Sequence, residues 1–126
     1  MRTAIETNGA AAAIGPYSQA VRMGQLLFVS GQIPLEPATG DMIEGGIAAQ
    51  THRVMQSLAA VLQAAGATLA DVARTTVYLA NLDDFPGMNE VYATYFTAPA
   101  PARSTVQVAK LPKGALVEID VIAVLP

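Results

Sequence analysis

Arg103, Glu118 and Asp120 are the residues of this chain best placed to do chemistry, because each stands where a strand should be apolar. Arg103 follows a proline-rich connector (Pro99, Pro101) and opens the run Arg103-Ser104-Thr105-Val106-Gln107. Glu118 and Asp120 interrupt the otherwise apolar stretch 116–125. A guanidinium presents a planar fork that grips a carboxylate or phosphate through two parallel hydrogen bonds. A carboxylate buried in an apolar strand costs on the order of several kcal/mol unless it is paired or put to use, and beside a bound electrophile it serves as general base on a water. The structural alternative is an ion pair between Arg103 and Glu118 or Asp120, and residue types alone leave both readings open. Asp120 leans to the structural side.

The segment Lys110-Leu111-Pro112-Lys113-Gly114 separates the two runs and predicts a turn, so the runs are expected to pair as a β-hairpin. With closure near residues 112 and 113, odd positions of the first strand oppose even positions of the second. Arg103, Thr105, Gln107, Glu118 and Asp120 are then expected on one surface.

The remaining elements must present that surface. Residues 2–7 predict a short edge strand and residues 10–16 a loop of small side chains. Residues 17–23 and 26–30 predict strands joined by the two-residue turn Gly24-Gln25. The prolines at 34 and 37 with Gly40-Asp41 predict a loop over 31–45. Residues 46–65 predict a helix, with Ile47, Thr51, Val54, Met55, Leu58, Val61, Leu62 and Ala65 on one stripe and Gly66 just past its end. Residues 72–80 predict a β-branched strand. Asp83 or Asp84 is expected to cap a second helix, with Pro86 in its first turn and Phe85, Met88, Tyr92, Tyr95 and Phe96 as a core stripe. Asn89, at the border of that stripe, is expected to be half buried. The order strand, strand, helix, strand, helix, strand, strand predicts an α+β domain over 1–126: one mixed β-sheet with both helices on one face, each a crossover between parallel neighbours.

Composition narrows the function. Hydrophobic residues make up 52% of the 126 and charged residues 13%, too few charges to dress a fully solvated surface, so copies of the chain are expected to cover its open sheet face. Seven basic against ten acidic residues give a net charge of −3, which provides no field for nucleic acid or an anionic membrane. The absence of cysteine removes thiolate nucleophiles and zinc–thiolate sites, and one histidine, His52, builds no metal cluster and is expected to be solvated. There is no membrane-length apolar run and no signal-peptide layout, so the cytoplasm is the expected address. Nucleophile-elbow, Walker and dinucleotide glycine motifs are missing, which leaves carboxylate, guanidinium, hydroxyls and backbone amides as the working groups. Gly15-Pro16-Tyr17-Ser18 and Ser30-Gly31-Gln32 are the next candidates. A glycine directly after a strand exposes backbone N–H groups and admits a ligand closely, and it also simply terminates a strand. Tyr17 reads either as a core aromatic or as a pocket wall.

Ile14-Gly15-Pro16-Tyr17-Ser18-Gln19-Ala20, Val29-Ser30-Gly31-Gln32-Ile33-Pro34, Thr75-Thr76-Val77-Tyr78-Leu79, Asn89-Glu90-Val91-Tyr92, Pro101-Ala102-Arg103-Ser104, Lys110-Leu111-Pro112 and Val117-Glu118-Ile119-Asp120 occur in that order. Together they resemble the successive motifs of the RidA family (YjgF-type, reactive intermediate/imine deaminase A, also described as endoribonuclease L-PSP). The resemblance implies a chorismate-mutase-like fold, a homotrimer with ligand clefts between subunits, and hydrolysis of 2-imino acids such as 2-iminobutanoate and 2-iminopropanoate to 2-oxo acids and ammonia, without metal or cofactor. It implies that Arg103 holds the substrate carboxylate and Glu118 activates water, with Tyr17, Ser30, Gly31, Asn89 and the Thr105 backbone shaping the cleft. Many relatives carry cysteine where this chain has Thr105. Three other functions stand beside this one: a non-catalytic trimeric sensor of oxo acids or amino acids, for which Glu118 would be a repelling charge; an endoribonuclease or translation inhibitor, which the acidic composition disfavours; and a chaperone-like role, which predicts an exposed apolar patch instead of a charged cleft.

Overall fold

Alternation with period two governs the architecture. In the computed structural model, which describes residues 1–126, the elements are β1 (Thr3–Ile5), β2 (Ala20–Met23), β3 (Leu26–Gln32), α1 (Ile47–Ala64), β4 (Val72–Leu79), α2 (Phe85–Tyr92), β5 (Ala102–Gln107) and β6 (Val117–Val124). Val117, Ile119, Val121 and Ala123 of β6 are buried on one face, as are Thr75, Val77 and Leu79 of β4 and Leu27 and Val29 of β3. Against that face α1 sets Val54, Met55, Leu58, Val61 and Leu62, and α2 adds Met88 and Tyr92. Each such aliphatic side chain contributes about 1.5–3 kcal/mol when fully buried. The result is a single mixed sheet, order β1-β2-β3-β6-β4-β5, with both helices on one side.

The other face is open. Met23, Leu26, Phe28, Val106 and Val124 on it remain 38–45% exposed, next to a polar strip formed by Glu118, Asp120, Tyr78 and Thr76. The expected helix over 46–65 forms as Ile47–Ala64, with Gly66 past its end at φ +81°. Gly24 opens the β2–β3 turn at φ +62°, as a two-residue hairpin requires.

The expected hairpin between the Arg103 strand and the Glu118 strand does not form. β5 pairs in parallel with β4, and β4 pairs antiparallel with β6, so β4 stands between them. No residue of β5 is buried, whereas four of the eight in β4 are. The strand with least to bury takes the edge, which the local turn pattern does not reveal. The crossover expectation holds for β4–α2–β5. β3 and β4 run parallel but with β6 between them.

Smaller differences have local causes. The second strand begins at Ala20 rather than Tyr17, because Tyr17 N–H turns back to the Gly15 carbonyl (2.9 Å). The third continues past Ser30 to Gln32 through an irregular register, and the proline loop after it contains a Leu35–Met42 bridge. Neither Asp83 nor Asp84 caps α2 with its side chain; Asn81 caps the 3-10 turn before it, accepting from Asp83 N–H (2.9 Å).

Candidate functional site

On edge strand β5, Arg103 shares its row with Thr75 of β4, and Thr75 is buried under α2 with its hydroxyl 2.8 Å from that of Tyr92. Arg103 therefore points to the helix side. Its guanidinium lies 4.7 Å from the Tyr92 ring centroid and 5.3 Å from that of Phe85, and Nη1 donates to Asn89 Oδ1 (2.8 Å). Phe85, Asn89 and Tyr92, spaced i, i+4, i+7, put two aromatic faces and one amide on one side of α2. That spacing was visible in the sequence, but these aromatics were expected to serve the core alone. Asn89 is exposed rather than half buried. The arginine is oriented but has no carboxylate partner within the chain, and no ion pair joins it to Glu118 or Asp120.

Thr105 lies two residues on, again on the helix side, with its Oγ1 buried and without a hydrogen-bond partner. Val108 N–H donates to the Leu79 carbonyl (3.0 Å) across the β4–β5 pair. Strand alternation then turns the N–H of Thr105 away from β4, toward the free edge. Gln107 spends its side chain on Leu82 N–H (2.8 Å).

Glu118 is elsewhere. It pairs with Tyr78 of the adjacent β4, on the open face, opposite to Arg103. The expected single surface thus divides in two: Arg103, Thr105 and Gln107 on the helix side, Glu118 and Asp120 on the other. Glu118 enters a cavity of about 350 Å³ lined by Ile14, Tyr17, Gly31, Ile33, Leu35, Pro112 and Lys113. Burial raises its pKa above the ordinary carboxylate value, and the nearby Asp120 charge adds to the rise. Tyr78 donates its hydroxyl to Asp120 Oδ2 (3.1 Å). Burial, this bond and the two carboxylates push the tyrosine pKa up as well. A larger groove of about 730 Å³ lies beside Ala59, Leu69, Phe96 and Pro99, but it holds none of the candidate residues, so size does not select the site.

Of the remaining candidates, Tyr17 and Gly31 line the Glu118 cavity and Ser30 does not. Tyr17 is exposed and forms part of its wall, which settles it as a rim residue rather than a core aromatic. Ser30 Oγ donates to the Ser18 carbonyl (2.6 Å) and Ser30 N–H to the Gln19 carbonyl (2.9 Å), so Ser30 fastens the Tyr17 turn to β3. Gln19, which sequence reasoning passed over, is buried and does the same for residues 7–11. Its Oε1 accepts from Thr7 N–H (2.7 Å), and its Nε2 faces the carbonyls of Thr7, Ala10 and Ala11 (3.1, 3.3 and 2.9 Å). His52 is exposed, as expected, with Nδ1 2.8 Å from the Tyr95 hydroxyl.

Gly31 has a specific reason. A Cβ at this position would overlap the carboxylate of Glu118, so only glycine lets that carboxylate lie on the β3 backbone. Gly31→Ala is expected to displace Glu118 while leaving the sheet intact. The measurement is a crystal structure of the variant together with urea unfolding: an unmoved Glu118 would refute the close-packing argument.

An α+β protein with six strands, two helices on one face, an arginine cradle at the sheet edge and a desolvated glutamate on the open face is the class defined so far. Residues 7–125 match the family described as Endoribonuclease L-PSP. Among relatives, the chain is 54% identical to protein DfrA of Myxococcus xanthus, over 98% of this chain and 95% of that one. It is 45% identical to the mouse (Mus musculus) 2-iminobutanoate/2-iminopropanoate deaminase, over 98% and 92% of the two chains. The crystal structure of RidA from the Antarctic bacterium Psychrobacter sp. superposes with a TM-score of 0.94 at 44% identity, covering 98% of this chain and all of that one. The chain belongs to the Endoribonuclease L-PSP family, the RidA/YjgF family. None of its helices is long and apolar enough to cross a membrane.

Proposed function

We propose that this chain is a deaminase that hydrolyses reactive 2-imino acids, 2-iminobutanoate and 2-iminopropanoate among them, to 2-oxo acids and ammonia. It does so without metal or cofactor, in clefts between the subunits of a cytoplasmic homotrimer. The observation that carries the reading is the division of the working groups between two faces. Arg103 with Asn89 is a carboxylate cradle without a base, and Glu118 in its cavity is a base without a cradle. Each is incomplete in one chain. A second copy laid over the open apolar face completes both, which also gives the 38–45% exposed side chains there a partner. The deaminase name of the mouse relative supports the reaction class.

The chemistry follows from the groups. Arg103 holds the substrate carboxylate bidentately, and the outward N–H of Thr105 adds a donor at the same edge. The imine carbon, already electrophilic, is thereby set against a water beside Glu118 of the neighbouring subunit. Orienting the two reactants supplies on the order of several kcal/mol of the barrier. Glu118 takes a proton from the water as its oxygen bonds to C2, and the C=N electron pair goes to nitrogen, which is protonated. The tetrahedral carbinolamine then expels ammonia as the C–N bond breaks and its hydroxyl becomes the carbonyl of the 2-oxo acid. The endoribonuclease description fits these groups less well, since seven basic residues in a chain of net charge −3 give little phosphate neutralisation.

A coupled assay tests the reaction. An amino-acid oxidase generates the imine in semicarbazide, and the protein is expected to divert it to free oxo acid and lower the semicarbazone rate. An unchanged rate across several amino acids would remove the deaminase reading. Light scattering tests the assembly: the expected mass is about three times the 13.0 kDa of the chain. A monomer at micromolar concentration would remove the cleft between subunits.

A further inference from the structure

Lys113 is the single non-glycine residue of the chain with a left-handed backbone, at φ +56° and ψ +22°. A side chain in that region is strained by roughly a kcal/mol or more, and a glycine there would not be. Gly114 follows at φ +70°, so the turn already has one glycine, yet the position before it keeps a lysine. The ammonium gives the reason. Nζ donates to the carbonyl of Gly40 (2.9 Å), 73 residues away in sequence.

Gly40 lies in the loop 34–43. The Leu35–Met42 bridge closes this loop, with Glu36 N–H on the Asp41 carbonyl (2.7 Å), Gly40 N–H on the Glu36 carbonyl (2.8 Å) and Ile43 N–H on the Pro34 carbonyl (3.0 Å). Leu35, on one arm of this loop, and Pro112 and Lys113, on the turn leading into β6, wall the same cavity as Glu118. None of the side-chain hydrogen bonds found in the chain ties the tip of the loop to β6 or the turn before it except that of Lys113.

We propose that Lys113 is a positioning residue for the Glu118 half of the site: its ammonium pins the 34–43 loop at Gly40 and thereby holds Leu35 in the wall over the carboxylate. The backbone strain at Lys113 is retained because it aims the side chain across to Gly40. The role deepens the deaminase reading, and its kinetic part rests on it; the part concerning the loop does not.

Three substitutions in the full chain separate ammonium from backbone. Lys113→Met keeps length and removes the donor. Lys113→Gly also removes the donor and relieves the left-handed strain, and Lys113→Arg restores a cation. Hydrogen exchange is read at the amides of Glu36, Gly40 and Ile43, and imine kinetics in the semicarbazide assay. In Lys113→Met and Lys113→Gly those three amides are expected to exchange about tenfold faster, with the β3, β4 and β6 amides unchanged. KM is expected to rise about fivefold with kcat reduced less than twofold, the size of a typical net hydrogen bond. Lys113→Arg should recover most of both, and Lys113→Gly should unfold at the same or higher urea concentration than wild type despite its looser loop. Unchanged exchange at the three amides in Lys113→Met would overturn the proposal. So would exchange rising uniformly across the sheet, or a loosened loop with wild-type KM in an active enzyme. If the wild-type protein itself proves inactive on imines, the deaminase reading fails, and the exchange comparison alone decides whether Lys113 pins the loop.

Discussion

Glu118→Gln is expected to lower imine hydrolysis by about two to four orders of magnitude, the usual loss on removing a general base. Glutamine keeps the shape and hydrogen-bonding capacity of the carboxylate, so binding of a 2-oxo acid should survive. Isothermal titration with 2-oxobutanoate, run beside the coupled assay, reads both quantities on the same preparation. Near-wild-type turnover would exclude Glu118 as the base. The raised pKa adds a signature: the acid limb of kcat/KM should lie above the ordinary carboxylate range, because the base must be ionised to work. Stability should move the other way. A carboxyl whose folded pKa is raised binds its proton more tightly in the folded state than in the unfolded one. Its contribution to stability is therefore present below the unfolded value and lost as pH rises through the folded value. Glu118→Gln, neutral at every pH, is thus expected to unfold at higher urea concentration than wild type at pH 7, with the difference vanishing in acid. A site residue whose removal stabilises the fold is the mark of function over packing.

Two inactive variants mixed together are expected to regain activity, the second large effect. Arg103→Ala loses the cradle and Glu118→Gln loses the base, and each alone should fall to near background. If the cleft takes Arg103 from one subunit and Glu118 from its neighbour, mixed assemblies contain clefts with both native residues. Random exchange of equal amounts gives such clefts about a quarter of the time, since each of the two neighbours is the required variant with even odds. Recovery to about a quarter of wild-type activity after co-refolding, read in the coupled assay, is the expected result. No recovery, with mixed trimers demonstrated by mass spectrometry of differently tagged chains, would mean that one subunit supplies both groups.

The sequence was most informative where a residue's environment is set by its own strand or helix. Helix α1 was readable almost residue by residue, because a buried stripe ending in glycine depends only on local spacing. Glu118 and Arg103 stood out as charges in apolar or β-branched runs, and both turn out to be oriented side chains in distinct surroundings. What could not be read was which strand lies next to which. The turn at 110–114 favours a hairpin locally, and only the competition for the interior, won by Val77 and Leu79 of β4 over the thinly apolar β5, puts Arg103 and Glu118 on opposite faces. Gln19 escaped notice for a related reason: its value lies in carbonyls 8 to 12 residues away that no periodicity marks.

The bonds of Gln19 have a further consequence, for motion. One buried amide joins the chain just after β1, the segment through Ala11 and the start of β2, and Ser30 ties the adjoining turn to β3. Local opening that freed Tyr17 would have to break this knot and strand a buried amide group without partners. The Tyr17 wall of the Glu118 cavity is therefore a rigid jamb, fraying only when the outer edge of the sheet frays with it. The opposite wall has no comparable buried knot: the tip of its loop is fastened by the exposed Lys113–Gly40 bond.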